Sequence, residues 1–475
     1  MADLIKPDLC VIGAGALGRT LAVKARQRGL DVALVRRSRD EAGDPAEGSL
    51  RHAALLASAH RAHAVRTAGQ LGLDTAAPKP NFRNIGERAA DIAQFVSPQH
   101  ADDRLAALGI TILSGEATFI DRQVLRCGQT SIRAGQFALA TGAHPLVPSL
   151  PGLDQVAYFT PDTIGDNVRK LSHLIVIGGT PEALELAQAY RLLGSTVTLV
   201  PQGDLLPGFD PELVALLVAA LREQGVAILD DAVVAAIQPR GQGTGVVLRR
   251  MAGEDSLDVS HILVAMDRLP DLDNALLGKA GLRRDRIHPE RLLVGPDGQT
   301  ANGRITALGG AAGQFAPHVG LRQAGLLVER LLGQGRGRLD PQHLPRFIGT
   351  YPPLAQVGLL EAGPGLRPGH NVLRSNPAES QAARAAGATS GMAKLVIDRS
   401  GTILGAGAVG AGAGETVALV ALAMKGRLSV QTLDQLALPQ PSIAALLIEL
   451  AEQAIALHPP GRWSRYLPSI TRLLP

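Results

Sequence analysis

Two segments of the chain repeat one pattern of apolar residues and glycines. DLCVIGAGALGRTLAVKARQRGLDVALV (Asp8 to Val35) and HLIVIGGTPEALELAQAYRLLGSTVTLV (His173 to Val200) each read as a short strand, a glycine turn, a helix and a second apolar strand. A βαβ unit of this kind is the nucleotide-binding element of a Rossmann fold. Because 475 residues are too many for one core, two copies predict two Rossmann-like nucleotide-binding domains.

The glycine turn of the first copy is complete. Gly13, Gly15 and Gly18 form a G-x-G-x-x-G motif. Its first glycine permits the tight turn, its second lets the backbone approach a pyrophosphate, and its third allows helix and strand to pack closely. The helix N-terminus that follows supplies partial positive charge. We therefore expect this turn to bind a dinucleotide.

The glycine turn of the second copy is altered. It keeps Gly178 and Gly179, but Thr180 and Ala183 occupy the second and third glycine positions of the motif. The branched side chain of Thr180 falls where a diphosphate would approach. Glu182 adds a carboxylate to the start of the helix, which favours the helix dipole but repels a phosphate. We expect NAD(P)H binding at this turn to be weak or absent.

Composition argues against several other classes of protein. The net charge of +4 is spread along the chain and aromatic residues make up 3%, so neither a basic block nor base stacking indicates nucleic-acid binding. The two cysteines, Cys10 and Cys127, are far apart, which argues against a disulfide framework or a zinc site. His52, His60 and His63 lack an accompanying carboxylate–cysteine pattern, and no metal site is predicted.

The ends of the chain give no sign of targeting or membrane insertion. The N-terminal residues lack the basic and long apolar regions of a signal peptide, and the longest apolar run, Val417 to Met424, is too short to span a bilayer. A cytoplasmic location is therefore expected. The C-terminal segment PPGRWSRYLPSITRLLP, with Trp463, could lie on a membrane surface, but packing against a dimer is the favoured interpretation.

Further segments add landmarks between and after the two βαβ units. FALATG ends in Thr141 and Gly142, and RITALGG ends in Gly309 and Gly310. Later in the chain, GMAKLVIDRSGTILGAGAVG reads as a β-hairpin, and GETVALVALAMKG and SIAALLIELAEQAIAL read as helices. With LLPGFDPELV, HVGLRQAG and LAQVGLLE, these segments resemble the flavoprotein pyridine nucleotide–disulfide oxidoreductases, especially mercuric reductase and dihydrolipoamide dehydrogenase.

The resemblance implies an α/β fold with two Rossmann-like nucleotide-binding domains and a C-terminal α+β dimerisation domain. The implied FAD-binding domain covers residues 1–150 and 270–335, and an NAD(P)-type domain is inserted at residues 151–269. The dimerisation domain covers residues 340–475. FAD, NAD(P)H and a homodimer are the implied cofactors and partner. Together with the two glycine turns, the resemblance assigns cofactor binding to Gly13, Gly15, Gly18, Arg36, Thr141, Gly142, Gly178, Gly179, Glu185, Gly309 and Gly310.

The resemblance also implies a C-x-x-x-x-C dithiol beside the flavin. This chain lacks the two cysteines of that dithiol. Aligned without gaps, the two cysteine positions fall on Asp44 and Ser49. The lysine expected to pair with Glu185 falls on Ala53. A carboxylate and a hydroxyl cannot shuttle two electrons as a dithiol does, so loss of dithiol chemistry is predicted.

The acid–base pair that the resemblance implies is lost as well. The expected C-terminal histidine and glutamate fall on Gln440 and Ala445. Glutamine cannot cycle a proton near neutral pH, and alanine cannot orient it. No catalytic residue is therefore assigned.

Two implied flavin contacts have changed. The acid expected to hold the adenosine ribose is Arg36, followed by Arg37, and the aspartate expected near the pyrophosphate is Gly310. Each lost charged hydrogen bond costs on the order of 1.5–3 kcal/mol, which weakens FAD binding. An arginine after the second strand can instead accommodate a 2′-phosphate. FAD, an empty structural site and another phosphorylated nucleotide remain as alternatives.

Taken together, the motifs favour a flavin-binding residual oxidoreductase or diaphorase that has lost dithiol and His–Glu catalysis. The alternative is a non-catalytic scaffold or regulatory pseudoenzyme that pairs with an active paralogue. No residue pattern identifies a substrate.

Overall fold

A computed structural model describes residues 3–37, 45–96, 101–241, 243–273, 277–335, 338–361, 365–439 and 441–457. Asp44, Gln440 and the segment around Trp463 lie outside these residues. The chain divides into two compact units: unit 1 comprises Met1–Ser58, Lys79–Gly178 and Ala232–Asp340, and unit 2 comprises Ala59–Pro78, Gly179–Asp231 and Pro341–Pro475. The four domain ranges given above stay a prediction.

The strands of the described residues are, in chain order, β1 (Leu4–Ile5), β2 (Leu9–Ile12), β3 (Val32–Arg36), β4 (Thr111–Ser114), β5 (Ala117–Phe119), β6 (Leu125–Cys127), β7 (Thr130–Ile132), β8 (Gln136–Leu139), β9 (Ala143–Pro145), β10 (His173–Ile177), β11 (Thr196–Val200), β12 (Ala227–Ile228), β13 (Ala232–Pro239), β14 (Thr244–Arg250), β15 (Gly253–Val259), β16 (His261–Val264), β17 (Arg268–Pro270), β18 (Ile305–Ala307), β19 (Arg346–Ile348), β20 (Leu354–Gly358), β21 (Asn371–Ser375), β22 (Met392–Ile397) and β23 (Ile403–Val409).

The helices are α1 (Ala16–Gln27), α2 (Pro45–Thr67), α3 (Phe82–Val96), α4 (Asp102–Ala107), α5 (Pro181–Leu192), α6 (Pro211–Glu223), α7 (Pro317–Leu331), α8 (Gln381–Ala385), α9 (Ala413–Lys425), α10 (Val430–Asp434) and α11 (Leu446–Leu457). Among the described helices, none is long and apolar enough to cross a membrane.

Unit 1 is built on a parallel five-stranded sheet in the order β18-β8-β2-β3-β4. The β2 strand reads as an unbroken apolar run because both faces of a central parallel strand are covered, and all four of its residues are fully buried. The predicted first βαβ unit is present as β2, α1 and β3. Unit 1 also contains the sheet β1-β7-β6-β5, the sheet β13-β14-β15 and the parallel pair β10–β16.

The parallel sheet gathers the predicted cofactor residues at one edge. Parallel strands end at the same side of a sheet, and this carboxyl edge is where open α/β sheets bind ligands. Gly13 follows β2, Arg36 ends β3, Thr141 follows β8 and Gly309 follows β18. These four residues come from separate parts of the sequence and meet here because of the strand order.

Unit 2 is built on an antiparallel five-stranded sheet in the order β19-β20-β23-β22-β21. The predicted hairpin is present as β22 and β23, and the two predicted C-terminal helices are present as α9 and α11. Their apolar faces share one core with the sheet, in which Leu395, Val420 and Leu450 are fully buried.

A cluster of charged groups around the buried pair Lys394–Asp210 lies between the sheet of unit 2 and the start of α6. The ammonium of Lys394 is 2% exposed and lies 2.9 Å from Asp210 Oδ1 and 3.0 Å from Glu361 Oε2, and it also bonds Glu212. Arg374 bonds Glu212 at 3.0 Å and contacts Glu361. We call these five residues the Lys394 cluster.

Candidate functional site

The first glycine turn forms a cradle with close backbone packing. Gly13 has a φ of +107° and follows β2, where its amide donates to Val35 at 3.0 Å. A methyl group placed on Gly18 would lie 1.9 Å from the carbonyl oxygen of Gly13. Gly15 is the N-cap of α1, and within the described residues no side chain caps this N-terminus. The first-turn amides of α1, with no acidic residue among them, provide a favourable environment for an anion.

Arg36 ends β3 but is not an isolated positive charge. Its guanidinium forms an ion pair with Asp102 and donates to Ser114 Oγ at 2.9 Å. Arg19, in the first turn of α1, donates to the other oxygen of Asp102 at 2.9 Å and to the carbonyl of Ala14 at 2.6 Å. We call Arg19, Arg36 and Asp102 the Arg–Asp–Arg cluster. Sequence reasoning missed Asp102 because nothing local marks it.

Arg37 connects β3 to the turn after β8. Its side chain is 4% exposed and donates to the Thr141 carbonyl at 2.9 Å and to Asp271 Oδ2 at 3.0 Å. The amide of Asp271 in turn donates to the Gly142 carbonyl at 3.0 Å. Thr141 is 6% exposed, and its hydroxyl has no hydrogen-bond partner among the described residues. An unsatisfied buried hydroxyl fits a site that a polar ligand completes.

The turn after β18 packs tightly against the rest of the site. A methyl group on Gly309 would lie 2.7 Å from Leu17 Cδ2, and one on Gly310 would lie 2.7 Å from the carbonyl carbon of Gly142 and 2.9 Å from the amide nitrogen of Ala143. The glycine turn of β2, the Thr141–Gly142 turn and the Gly309–Gly310 turn are therefore brought together in unit 1. The space beside Gly310 is closed by backbone.

Returning the family carboxylate at this turn is expected to harm the protein. Gly310→Asp should destabilise unit 1 by about 1–3 kcal/mol, because its Cβ overlaps backbone that cannot move away as a flexible side chain would. Thermal unfolding measures this effect. Gly303→Asp is the matched control, since Gly303 is exposed and a methyl there meets nothing within 4 Å. Equal stability of the two variants would contradict the tight backbone packing around Gly310.

The second glycine turn has a different environment. Gly178, in unit 1, has a φ of +140°, and a methyl there would lie 2.1 Å from the carbonyl oxygen of Ala265. In unit 2, Gly179 accepts from the amide of Leu206 at 2.9 Å. Thr180 is the N-cap of α5, and its hydroxyl accepts from the amide of Ala183 at 3.2 Å.

The start of α5 therefore offers little to a phosphate. Pro181 is the first helical residue and has no amide hydrogen, and the amide of Ala183 already has a partner in Thr180. Glu182 adds negative charge to this first turn. By contrast with α1, this helix N-terminus is capped by its own side chain.

Of the residues at the implied dithiol and its partners, Glu185 makes a structural hydrogen bond. Ser49 and Ala53 lie on α2, while Asp44 falls outside the described residues. Glu185, on α5, is 9% exposed and accepts a hydrogen bond from the amide of Gly349 at 2.5 Å. Ala445 ends a short 3₁₀ turn before α11.

Both cysteines lie in the core of unit 1. Cys10 is fully buried in β2 and Cys127 is 4% exposed in β6, and the two belong to the same apolar cluster. Burial raises the pKa of each thiol above its ordinary value. Since the thiolate is the reactive form, burial disfavours thiol reactivity at both positions.

The histidines of α2 pack against an aromatic ring in unit 2. The rings of His60 and His63 have their centroids 5.7 Å and 5.0 Å from that of Tyr351. Burial lowers the pKa of both histidines, so both are favoured as neutral rings. Within the described residues, no group of three or more His, Cys, Asp or Glu side chains could hold a metal ion.

Comparison with known protein families agrees with this architecture. The family model described as pyridine nucleotide-disulphide oxidoreductase matches residues 7–326, and the dimerisation-domain model of the same family matches residues 344–451. The chain belongs to the pyridine nucleotide-disulphide oxidoreductase family. The predicted family and the predicted fold class, an α/β protein of FAD-type oxidoreductase architecture with a C-terminal dimerisation domain, are both confirmed.

Individual members of the family align over nearly the whole chain. A mercuric reductase of Streptomyces lividans is 29% identical over 448 residues, covering 90% of this chain and 92% of its own length. A dihydrolipoyl dehydrogenase of Staphylococcus aureus is 26% identical over 462 residues, with 95% and 97% covered. The solved HOCl-induced flavoprotein disulfide reductase RclA from Escherichia coli superposes with a TM-score of 0.80 at 24% identity, covering 94% and 99%, which is a likeness of fold.

Proposed function

We propose that this chain is a family member that binds FAD in unit 1 and has no dithiol reductase activity. The observation that carries the proposal is the position of the cysteines. The sequence has two, and both are buried within strands of one apolar core. A C-x-x-x-x-C relay needs two reactive sulfurs at a turn beside the flavin, and no cysteine is left to supply them.

The residues of unit 1 fit the phosphate-bearing part of FAD. The uncapped N-terminus of α1, with Gly13 and Gly15 before it, would hold the diphosphate, and the unsatisfied hydroxyl of Thr141 would gain a partner. FAD, when bound, supplies two-electron redox chemistry. The contribution of the chain itself is binding and positioning, because Gln440 and Ala445 stand where the family's acid–base pair is expected.

Reduction by a nicotinamide cofactor is proposed to be weak. The cap that Thr180 forms on α5, the missing amide hydrogen of Pro181 and the carboxylate of Glu182 all oppose a diphosphate at the second turn. Activity that remains would be that of a slow flavin oxidase or diaphorase, in which electrons pass to a diffusible acceptor.

A second candidate, a non-catalytic scaffold, is favoured by the changed FAD contacts. Arg36 replaces the expected ribose-binding acid, and the backbone beside Gly310 leaves no space for the expected aspartate. In this case the protein would pair through residues 344–451, with a second copy or with an active paralogue. Homodimer formation and a cytoplasmic location belong to the same proposal.

The visible spectrum of gently purified protein, before and after NADH or NADPH, separates these functions. We expect a yellow protein whose flavin absorbance is bleached only slowly by either nucleotide. Bleaching within seconds would contradict the proposed weakness of the second turn. A colourless protein that binds no added FAD would favour the scaffold.

Restoring sulfur alone should not restore reductase activity. The double variant Asp44→Cys with Ser49→Cys is expected to reduce lipoamide or Hg²⁺ no faster than the unmodified chain, because Gln440 and Ala445 still provide no acid–base pair. NAD(P)H-coupled turnover is the measurement, with an active dihydrolipoyl dehydrogenase as positive control. Robust turnover in the double variant would refute the acid–base part of the proposal.

A further inference from the structure

A carboxylate is present at the end of β3 even though the residue there is Arg36. Asp102, the first residue of α4, is held at this point because Arg36 binds one of its oxygens and Arg19 binds the other. Arg19 also bonds the glycine turn through the carbonyl of Ala14. The Arg–Asp–Arg cluster therefore joins the cradle after β2 to the end of β3, which are two walls of a dinucleotide site.

We propose that Asp102 is the acceptor for the ribose hydroxyls of the adenosine half of the dinucleotide in unit 1. Arg36 replaces the expected acid and at the same time positions a different acid beside that place. The inference rests on the proposed binding of FAD, and it assigns a role to a residue that the sequence pattern does not mark.

The remaining hydrogen-bonding capacity of Asp102 suits two hydroxyl groups. An ionised carboxylate has about four acceptor sites on its two oxygens. Among the described residues, Arg19 and Arg36 each occupy a site on a different oxygen, and a second acceptor site remains on each oxygen. The side chain of Asp102 is 36% exposed, so a ligand can reach it. Ser114 fixes the far side of the Arg36 guanidinium at 2.9 Å, which keeps the carboxylate oriented.

The same cluster is less suited to a 2′-phosphate. Its two guanidinium groups already share a carboxylate, so a phosphate would have to displace Asp102 from two charge-assisted hydrogen bonds. A neutral diol needs no displacement and gains an ionised acceptor. The geometry therefore favours an unphosphorylated ribose over the phosphorylated one.

The test compares three adenine nucleotides on the full chain and on two variants. Flavin fluorescence follows FAD binding in competition with ADP, 2′-deoxy-ADP or 2′,5′-ADP. In the unmodified chain we expect ADP to compete about tenfold better than 2′-deoxy-ADP. Asp102→Asn should weaken FAD about tenfold to a hundredfold and make ADP and 2′-deoxy-ADP equal competitors. Asp103→Asn removes the same charge from the next residue, which is exposed, and should leave the preference unchanged.

A second variant distinguishes loss of the ribose contact from misfolding of Asp102→Asn. Asp102→Asn combined with Arg36→Glu returns an acid to the end of β3 and should restore the preference for ADP. The inference is overturned if Asp102→Asn keeps that preference, or if it strengthens 2′,5′-ADP, which would mean that Asp102 shields a phosphate site. If the unmodified chain binds no FAD, the proposed function fails, and direct titration with ADP and 2′-deoxy-ADP still tests the ribose contact; no adenine nucleotide bound would overturn both.

Discussion

Lys394→Met is expected to destabilise unit 2 by about 3–5 kcal/mol. The variant keeps the volume of the side chain but removes the only positive charge that contacts Asp210 among the described ion pairs. Asp210 is 1% exposed and also caps α6, where its carboxylate accepts from the amides of Glu212 and Leu213 at 3.0 Å and 3.2 Å. A buried carboxylate left without its cation does not regain its hydration shell. Removing one partner of a buried pair therefore costs more free energy than the intact pair contributes to stability.

Chemical denaturation measures the free energy of unfolding of Lys394→Met. The control is Lys425→Met, which removes the charge of an exposed lysine on α9. Hydrogen bonds from Lys394 and Arg374 lower the pKa of Glu212 below its ordinary value of 4.5. The contribution of Glu212 to stability is therefore complete above pH 4.5 and is lost as the pH falls from there through the lowered pKa of the folded state. This acid sensitivity should shrink in Lys394→Met. A loss no larger than that of Lys425→Met would show that the cluster contributes little.

Gly18→Ala is expected to abolish dinucleotide binding and to destabilise unit 1 by about 3 kcal/mol, the upper end of the range for overpacked sites. The added methyl would lie 1.9 Å from the Gly13 carbonyl oxygen and 3.4 Å from Val11 Cγ1. Backbone must therefore move apart in the turn that presents the first amides of α1. The flavin content of the purified variant and its thermal unfolding measure the two effects.

Gly86→Ala is the matched control for this substitution. Gly86 lies within α3, and a methyl there would make one ordinary contact, with Val168 Cγ1 at 3.9 Å. Alanine is the better helix former by about 0.5–1 kcal/mol, so this variant should be more stable than the unmodified chain. The same Gly→Ala change is thus expected to lower the stability of the protein at Gly18 and to raise it at Gly86. Flavin retained in Gly18→Ala would show that the close packing of helix and turn is not required for binding.

Features encoded locally could be predicted from the sequence. The first βαβ unit is continuous in sequence: β2 is followed by the turn with Gly13 and Gly15 and then by α1. The spacing of its apolar residues and glycines was therefore sufficient to predict these elements. The hairpin β22–β23 and the helices α9 and α11 were likewise predicted from their own residues. The start of α6 also carries a local signal, because Asp210 followed by proline and glutamate is typical of a helix N-cap.

Features that depend on distant parts of the chain could not be predicted in this way. Asp102 is 66 positions from Arg36, and only the strand order brings the two together. The sequence presented Arg36 as a free charge for a phosphate, whereas the structure gives it a carboxylate. Lys394 is 184 positions from Asp210, and its place in a hairpin strand gave no sign that its ammonium is buried. Tertiary packing determines which groups a buried charge contacts, and the local spacing of apolar residues in the sequence does not show it.

The burial of the two thiols gives the molecule a built-in reporter of local opening. Both thiols belong to unit 1, and unit 2 has no cysteine. Alkylation by a maleimide would therefore proceed at the rate at which the nucleotide-cradle half of the chain opens, and it would remain silent when the other half melts alone. A labelling time course thus reports the opening of unit 1 separately from that of unit 2.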